Sequence, residues 1–368
     1  MNTVDREIFP LAQQQAQRAL YLSNPNPRVG CVIAREGMVL GSGHTQQAGG
    51  PHAEIMALRD ATMKGLDVRG ATAYVTLEPC SHHGRTGPCC DALIAAGISR
   101  VVASAEDPNP LVAGQGFARL LAAGIEVEVG LGADETRELN IGFFSRMTRK
   151  TPWVRLKVAA SLDGRTALEN GVSQWITSEA SRADGHAWRA RACAVLTGIG
   201  TVLRDNPRLD VRMVQTPRQP HLVVVDSRLQ TPTDAKLFGL ERQVWIYTAQ
   251  SDPERQRELE ARGAQVSVLP DAEGKVDLSA MLKDLARRQI NELHVEAGHG
   301  LNGSLVKQGL ADEIVLYQAP CLLGHGPGIA DIGAYKKMDE KTVLDIRSCT
   351  LLEPDLRVVA RFRQQVVI

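Results

Sequence analysis

The sequence predicts an α/β protein of two domains, and three observations carry that prediction. The chain has 368 residues, long for one core and suited to two. Through residues 1–149, short apolar runs alternate with helical stretches, the pattern of a sheet layered with helices. At Arg149-Lys150-Thr151-Pro152 the charged tail of a helix meets a proline, and a new apolar strand begins at Trp153. The expected domains are therefore 1–149 and 150–368.

The elements of the first domain follow in order. Residues 9–22 read as a helix that stops at the double X-Pro break Ser23-Asn24-Pro25-Asn26-Pro27. Strands are expected at 29–34 and 38–43, and a helix at 53–64 after Gly49-Gly50-Pro51. A short buried strand at 73–77 ends at Glu78-Pro79-Cys80, and Cys89-Cys90 opens a helical run to residue 96. Then come a strand at 100–104, a helix at 116–123, a strand at 126–130 and a helix at 134–149.

In the second domain strands are expected at 153–161, 194–197, 221–226, 244–248, 265–269, 293–297, 313–318 and 358–363. Helices lie between several of them, clearest at 179–191 and 278–289. The chain has no internal repeat and no low-complexity segment.

Composition excludes several function classes. Lys+Arg and Asp+Glu both total 42, so the chain lacks the strong basic footprint of a nucleic-acid or anionic-membrane binder. The seven cysteines are odd in number and scattered, which argues against a disulfide scaffold and for a reducing compartment. No apolar h-region follows a basic start, and no apolar run reaches 18 residues. A cytoplasmic protein is expected.

The chemistry concentrates in His52-Ala53-Glu54, Pro79-Cys80 and Cys89. These supply one imidazole, two thiolates and one carboxylate. Zinc deaminases of nucleobases need that set: three soft ligands hold Zn²⁺, a water takes the fourth position, and the glutamate carries protons. The metal lowers the water's pKa to about 7. Glu54, two residues from His52, can face that water without being a ligand. A structural zinc site would need a fourth protein ligand, which His82, His83 or Cys90 could supply. The general signature places two residues between its cysteines, whereas eight, Ser81 to Pro88, stand here. That insert is polar and basic and suits a substrate phosphate, with His82, His83 and Arg85 as donors and Arg85 the better fork. The plainer reading is a solvated loop.

A second chemistry is expected late in the chain. Gly298-His299-Gly300-Leu301-Asn302-Gly303 follows a strand and precedes the helical run from Ser304. Glycines so placed let backbone N–H groups approach a pyrophosphate. No clear Asp or Glu stands about twenty positions on at a strand end to hold a ribose, so the unit reads as a phosphate-cradling loop outside a Rossmann fold, or as a tight turn. Polar segments at strand ends, 160–166, 171–177 and 198–207, are further site candidates.

The whole chain resembles the bifunctional riboflavin-biosynthesis proteins, a pyrimidine deaminase fused to a uracil-nucleotide reductase. The matching motifs are Asn24-Pro25-Asn26-Pro27-Arg28-Val29-Gly30-Cys31, Pro51-His52-Ala53-Glu54, residues 77–86 with their wide cysteine spacing, Asp107-Pro108-Asn109-Pro110, Ser161-Leu162-Asp163-Gly164-Arg165-Thr166, residues 174–178 and 201–207, and Val295-Glu296-Ala297-Gly298. They run in order through both domains. The resemblance implies a cytidine-deaminase-like fold for domain one and a dihydrofolate-reductase-like fold for domain two. It puts the Zn²⁺ ligands at His52, Cys80 and Cys89 and the proton carrier at Glu54. NADPH contacts fall on Ala159, Trp175, Thr201, Asp205, Ser227 and Gly298, His299, Gly300, Leu301, Asn302, Gly303 and Ser304. Sugar-phosphate contacts fall on Ser173, Arg189, Leu209, Arg212 and Glu296. Two positions depart from the family: Gly87 replaces a frequent proline, and His299 a smaller residue.

The implied reactions are hydrolytic deamination of a diaminopyrimidine ribosyl phosphate and NADPH-dependent reduction of its ribose to a ribityl chain. Lys157 and Glu296 are candidate general acids of the second step, with an inert ion pair the alternative for Lys157. The expected partners are this small substrate and further copies of the chain, not nucleic acid or membrane. The rivals are a cytidine or tRNA-adenosine deaminase with an accessory nucleotide-binding domain, and a zinc-stabilised binding module without turnover. Zero net charge and the long second domain oppose the first; the free Glu54 opposes the second.

Overall fold

The computed structural model describes residues 2–81, 87–110 and 112–363. The chain divides into two compact units, Met1–Lys150 and Thr151–Ile368.

The first unit runs α1 (Thr3–Arg18), β1 (Gly30–Arg35), β2 (Met38–His44), α2 (Ala53–Met63), β3 (Thr72–Val75), α3 (Cys89–Ala95), β4 (Arg100–Ala103), α4 (Gln115–Ala122), β5 (Glu126–Val129), α5 (Ala133–Leu139) and α6 (Ile141–Arg149). Its sheet has the order β2-β1-β3-β4-β5. β1 pairs antiparallel with β2 and β3, while β3, β4 and β5 run parallel. Alternation along the strands decides which helix covers which face. Val32, Ala34, Tyr74 and Val102 pack with Ile8, Phe9 and Ala12 of α1. Cys31, Ile33, Ala73, Val75, Val101 and Ala103 face the other way, onto Ala53, Ala57, Leu93 and Leu120 of α2, α3 and α4. α2 lies so close to β2 that a Cβ on Gly41 would stand 2.2 Å from the Ala57 carbonyl oxygen. Glycine is required there.

α1 begins at Thr3, earlier than the sequence pattern suggests, because Asn2 and Asp5 form a reciprocal capping box. Asp5 is buried and takes two bonds of 2.8 Å from Arg100 and one of 3.0 Å from the Tyr74 hydroxyl. A charged first turn is thus a core tie. The helix expected at 134–149 breaks into α5 and α6 at Asn140. The Asn140 side chain accepts from the Arg28 amide (2.7 Å) and donates to the Arg28 carbonyl (3.0 Å).

The second unit runs β6 (Trp153–Ser161), α7 (Glu179–Arg191), β7 (Ala194–Gly198), α8 (Ile199–Asp205), β8 (His221–Val225), β9 (Val244–Thr248), α9 (Pro253–Ala261), β10 (Ala264–Val268), α10 (Leu278–Arg287), β11 (Glu292–Val295), α11 (His299–Lys307), β12 (Glu313–Ala319), β13 (Leu344–Leu352) and β14 (Asp355–Phe362). One nine-stranded sheet takes the order β10-β9-β8-β7-β11-β6-β12-β14-β13. It is parallel from β10 to β12 and antiparallel through the β13–β14 hairpin. Val195 and Leu196 of β7 enter different cores, one with Leu222, Ile246 and Leu259, the other with Leu282, Leu293 and Leu305. Burying each such side chain contributes about 1.5–3 kcal/mol.

Register at the sheet centre is pinned by charge. Arg155 in β6 is buried and sits opposite Glu313 in β12. Its guanidinium donates to Glu313 (2.5 Å) and Glu292 (2.8 Å) and lies 4.5 Å from the Trp188 ring centroid. Removing one partner of such a buried pair costs about 3–5 kcal/mol. β13 was not anticipated. As the outer edge strand it is exposed along most of its length and carries Asp345, Arg347 and Ser348, so burial imposes no alternating pattern.

Candidate metal centre and nucleotide cleft

Three elements bring the metal candidates together. His52 is the N-cap residue of α2, Cys80 ends the segment after β3, and Cys89 is the first residue of α3. Their ligand atoms all lie within 4.8 Å of one another. His52 Nδ1 stands 3.6 Å from Cys80 Sγ and 3.4 Å from Cys89 Sγ. Zinc bonds of about 2.0–2.1 Å to nitrogen and about 2.3 Å to sulfur, at tetrahedral angles, place such atoms roughly 3.6 Å apart. The donor set fits that ion. The Cys89 amide donates to Cys80 Sγ (3.4 Å). Cys80 is drawn down to about 4 by its hydrogen bond with Cys89, against burial and with help from His52. Cys89 is pushed above the ordinary range by the same Cys80 contact and by burial.

Glu54, the second residue of α2, is 3% exposed. Burial and the Cys80 charge push its carboxyl up to about 7, with His52 opposing. Cys90, the conceivable fourth ligand, turns away: its thiol donates to the Pro79 carbonyl at 3.2 Å. His82, His83 and Arg85 lie outside the described residues.

The second unit contains a cleft of about 1000 Å³ at the carboxyl ends of β6, β7 and β11. This is where open parallel sheets bind ligands. Ala159, Trp175, Thr201, Asp205 and residues 298–302 line it, as do Ser173, Arg189, Leu209, Arg212 and Glu296. Ser227, Gly303 and Ser304 are not among its lining residues. The Ser227 hydroxyl accepts from the Val276 amide (3.2 Å), and the Ser304 hydroxyl donates to the Gly300 carbonyl (3.1 Å). The presumed phosphate loop is already helix: Gly298 is the N-cap of α11, which begins at His299. A Cβ on Gly298 or Gly300 would meet nothing within 4 Å, so there is open space beside the N-terminus of α11, where a phosphate could approach the amides. Gly303 has another purpose, since a Cβ there would lie 2.0 Å from the Asp331 carbonyl oxygen.

Two arginines of the cleft are paired with acids. Arg189 forms a two-pronged ion pair with Glu296 and donates to the Asp210 carbonyl (2.9 Å). Arg212 donates to Asp210 at 2.7 Å. Burial would raise Glu296, but Arg189 outweighs it and holds the carboxyl below its ordinary range. Lys157 is lowered by burial, with Glu296 opposing. The sequence reading missed His186. It is 3% exposed, lines the cleft and accepts the Arg212 amide on Nδ1 (3.3 Å), which leaves the Nε2 proton as its donor. A histidine in mid-helix gives no signal until α7 is packed against the 207–213 segment.

Comparison with known proteins decides the family. The chain is 44% identical to the Escherichia coli riboflavin biosynthesis protein RibD, over 96% of this chain and 98% of that one. It belongs to the RibD family. The Aquifex aeolicus RibD is 43% identical over 90% of this chain and 91% of its own. The cytidine and deoxycytidylate deaminase zinc-binding region matches residues 2–105, and the RibD C-terminal domain matches 152–357. The Acinetobacter baumannii RibD structure superposes with a TM-score of 0.89 at 39% identity, covering 98% of this chain and 99% of that one. A diaminohydroxyphosphoribosylaminopyrimidine deaminase/5-amino-6-(5-phosphoribosylamino)uracil reductase from Thermotoga maritima gives 0.87 at 32% identity, with coverages of 98% and 99%. The chain is therefore a bifunctional deaminase and reductase of riboflavin biosynthesis, with a zinc-binding deaminase domain and an NADPH-using reductase domain. No helix among the described residues is long and apolar enough to cross a membrane.

Proposed function

We propose that His52, Cys80 and Cys89 hold the zinc ion and that Glu54 moves the protons of hydrolytic deamination. The substrate would be the diaminopyrimidine ribosyl phosphate named for the Thermotoga maritima relative. The observation that carries this reading is the convergence of one imidazole and two sulfurs within 4.8 Å, next to a buried carboxylate only two residues from His52. Zinc bound there supplies a Lewis acid that lowers the pKa of a water to about 7. The Glu54 carboxylate would carry one proton of the attacking water to the ring nitrogen and the second to the amino group, which leaves as ammonia.

For the reduction, NADPH supplies the hydride. The α11 N-terminus would face its phosphates, and Arg212 the substrate phosphate. Glu296, held ionised by Arg189, is a poor proton donor. Lys157, which lines the cleft with its proton loosened by burial, is the better candidate for the opening ribose. Ammonia release from the diaminopyrimidine nucleotide, followed by NADPH oxidation with the deaminated product, tests both halves. Turnover of cytidine alone would instead favour a general deaminase.

The same reading extends to compartment and assembly. All seven cysteines are free, which supports a cytoplasmic site. Ile346 (66% exposed) and Leu351 (63%) on the edge strand β13 support a homo-oligomer, which light scattering would test.

A further inference from the structure

Glu78 stands two residues before Cys80 and is 4% exposed, yet no side-chain cation pairs with it among the described residues. Its carboxylate is spent on main-chain amides. One oxygen accepts from Gly116 (2.8 Å) and Phe117 (3.4 Å), the other from Asp107 (3.1 Å) and Gly114 (3.0 Å). The Glu78 amide donates to the Ala105 carbonyl at 2.9 Å. The residue thus sews the strand end that carries Cys80 to the turn entering α4.

Two more contacts close on the same peptide. The Cys90 thiol donates to the Pro79 carbonyl (3.2 Å) and reaches the Gly116 carbonyl (3.5 Å), while the Cys90 amide donates to the Cys80 carbonyl (3.2 Å). Gly116 is pressed so tightly against this ledge that a Cβ would fall 2.1 Å from the Pro79 carbonyl oxygen. Cys80 and Cys89 are therefore held by a clamp of Glu78, Cys90 and Gly116, none of which is in the candidate ligand set. Groups that orient metal ligands typically alter metal affinity or activity by about 10–100-fold when removed.

We propose that Glu78 is a positioning residue for the Cys80 and Cys89 sulfurs, setting metal affinity and deaminase turnover without touching substrate. This rests on reading His52, Cys80 and Cys89 as the ligands. Glu78→Gln keeps the volume but turns an NH₂ toward amide donors, so one prong of the clamp becomes repulsive. In the full chain, its zinc Kd in competition with a chromophoric chelator should rise about tenfold or more. At saturating zinc, kcat for ammonia release should fall while KM moves less than about twofold. Reductase turnover of the same chain should be unchanged. A second variant, Cys90→Ala, removes only the thiol's contacts with the Pro79 and Gly116 carbonyls and decides the matter if Glu78→Gln unfolds the first unit; its zinc Kd should rise about threefold or more. Wild-type zinc affinity in Cys90→Ala together with wild-type affinity or unfolding in Glu78→Gln would overturn the proposal. Cys80→Ser separates the two failures: zinc retained there removes the ligand reading itself, whereas zinc lost there with the clamp variants unaffected removes only the role of Glu78.

Discussion

Arg189 and Glu296 form a two-pronged ion pair across the floor of the reductase cleft. With the bond to the Asp210 carbonyl, three of the guanidinium's five donors are engaged. Arg189 is therefore committed to a pair, and Arg212, whose side chain is 55% exposed, is the freer candidate for a phosphate.

Arg212→Ala should raise KM for the deaminated substrate about tenfold to a hundredfold, the equivalent of roughly 1.5–3 kcal/mol for a charge-assisted hydrogen bond. NADPH affinity should be nearly unchanged. Steady-state kinetics and a cofactor titration check this; weakened NADPH binding with normal substrate KM would reassign Arg212 to the cofactor.

Glu54→Gln should abolish ammonia release while zinc content and reductase turnover persist. The substitution preserves shape in a buried position and removes only the proton carrier. A variant that kept a substantial share of deaminase activity would sink the role assigned to Glu54.

Cys90→Ser should leave one zinc per chain. A serine hydroxyl can still donate to the Pro79 carbonyl, and Cys90 lies outside the ligand cluster. Metal analysis showing loss of zinc would point to a four-ligand structural site.

Residues 153–368 expressed alone should oxidise NADPH with the deaminated substrate, because the second unit has its own sheet and cores. An insoluble or inactive fragment would weaken that expectation.

Acid should destabilise the second unit before most carboxylates titrate. Burial, with Arg189 and Arg212, lowers His186 to about 4, and burial chiefly lowers His294 to about 3. Below the ordinary value of 6.5 the unfolded chain takes up these protons and the folded one does not, so stability falls as pH drops toward 4. Each histidine contributes a slope of about 1.4 kcal/mol per pH unit. All four tryptophans lie in this unit, so their fluorescence during urea unfolding of the full chain reports it selectively. His186→Gln should flatten the slope between pH 6.5 and 4.5; an unchanged slope would show that His186 is protonated in the fold.

Much was legible in the sequence because it rests on local patterns. The buried strand His221–Val225 announces itself as a β-branched run, and Trp153–Ser161 as an apolar stretch that starts just after a proline. The metal candidates are legible because their chemistry restricts residue type and two of them, His52 and Cys89, lie at helix starts. Residue order alone determined two α/β halves, the candidate zinc donor set with Glu54 beside it, and the glycines at 298 and 300. Only the tertiary structure decided what depends on neighbours distant in sequence. It turned the charged first turn of α1 into a core tie between Asp5 and Arg100, and it packed Gly303 against Asp331. It also committed Arg189 to Glu296 across 107 residues and bound Glu78 to amides 29–39 residues away. A buried charge needs a partner of matching geometry, and local sequence cannot say where the folded chain will supply one.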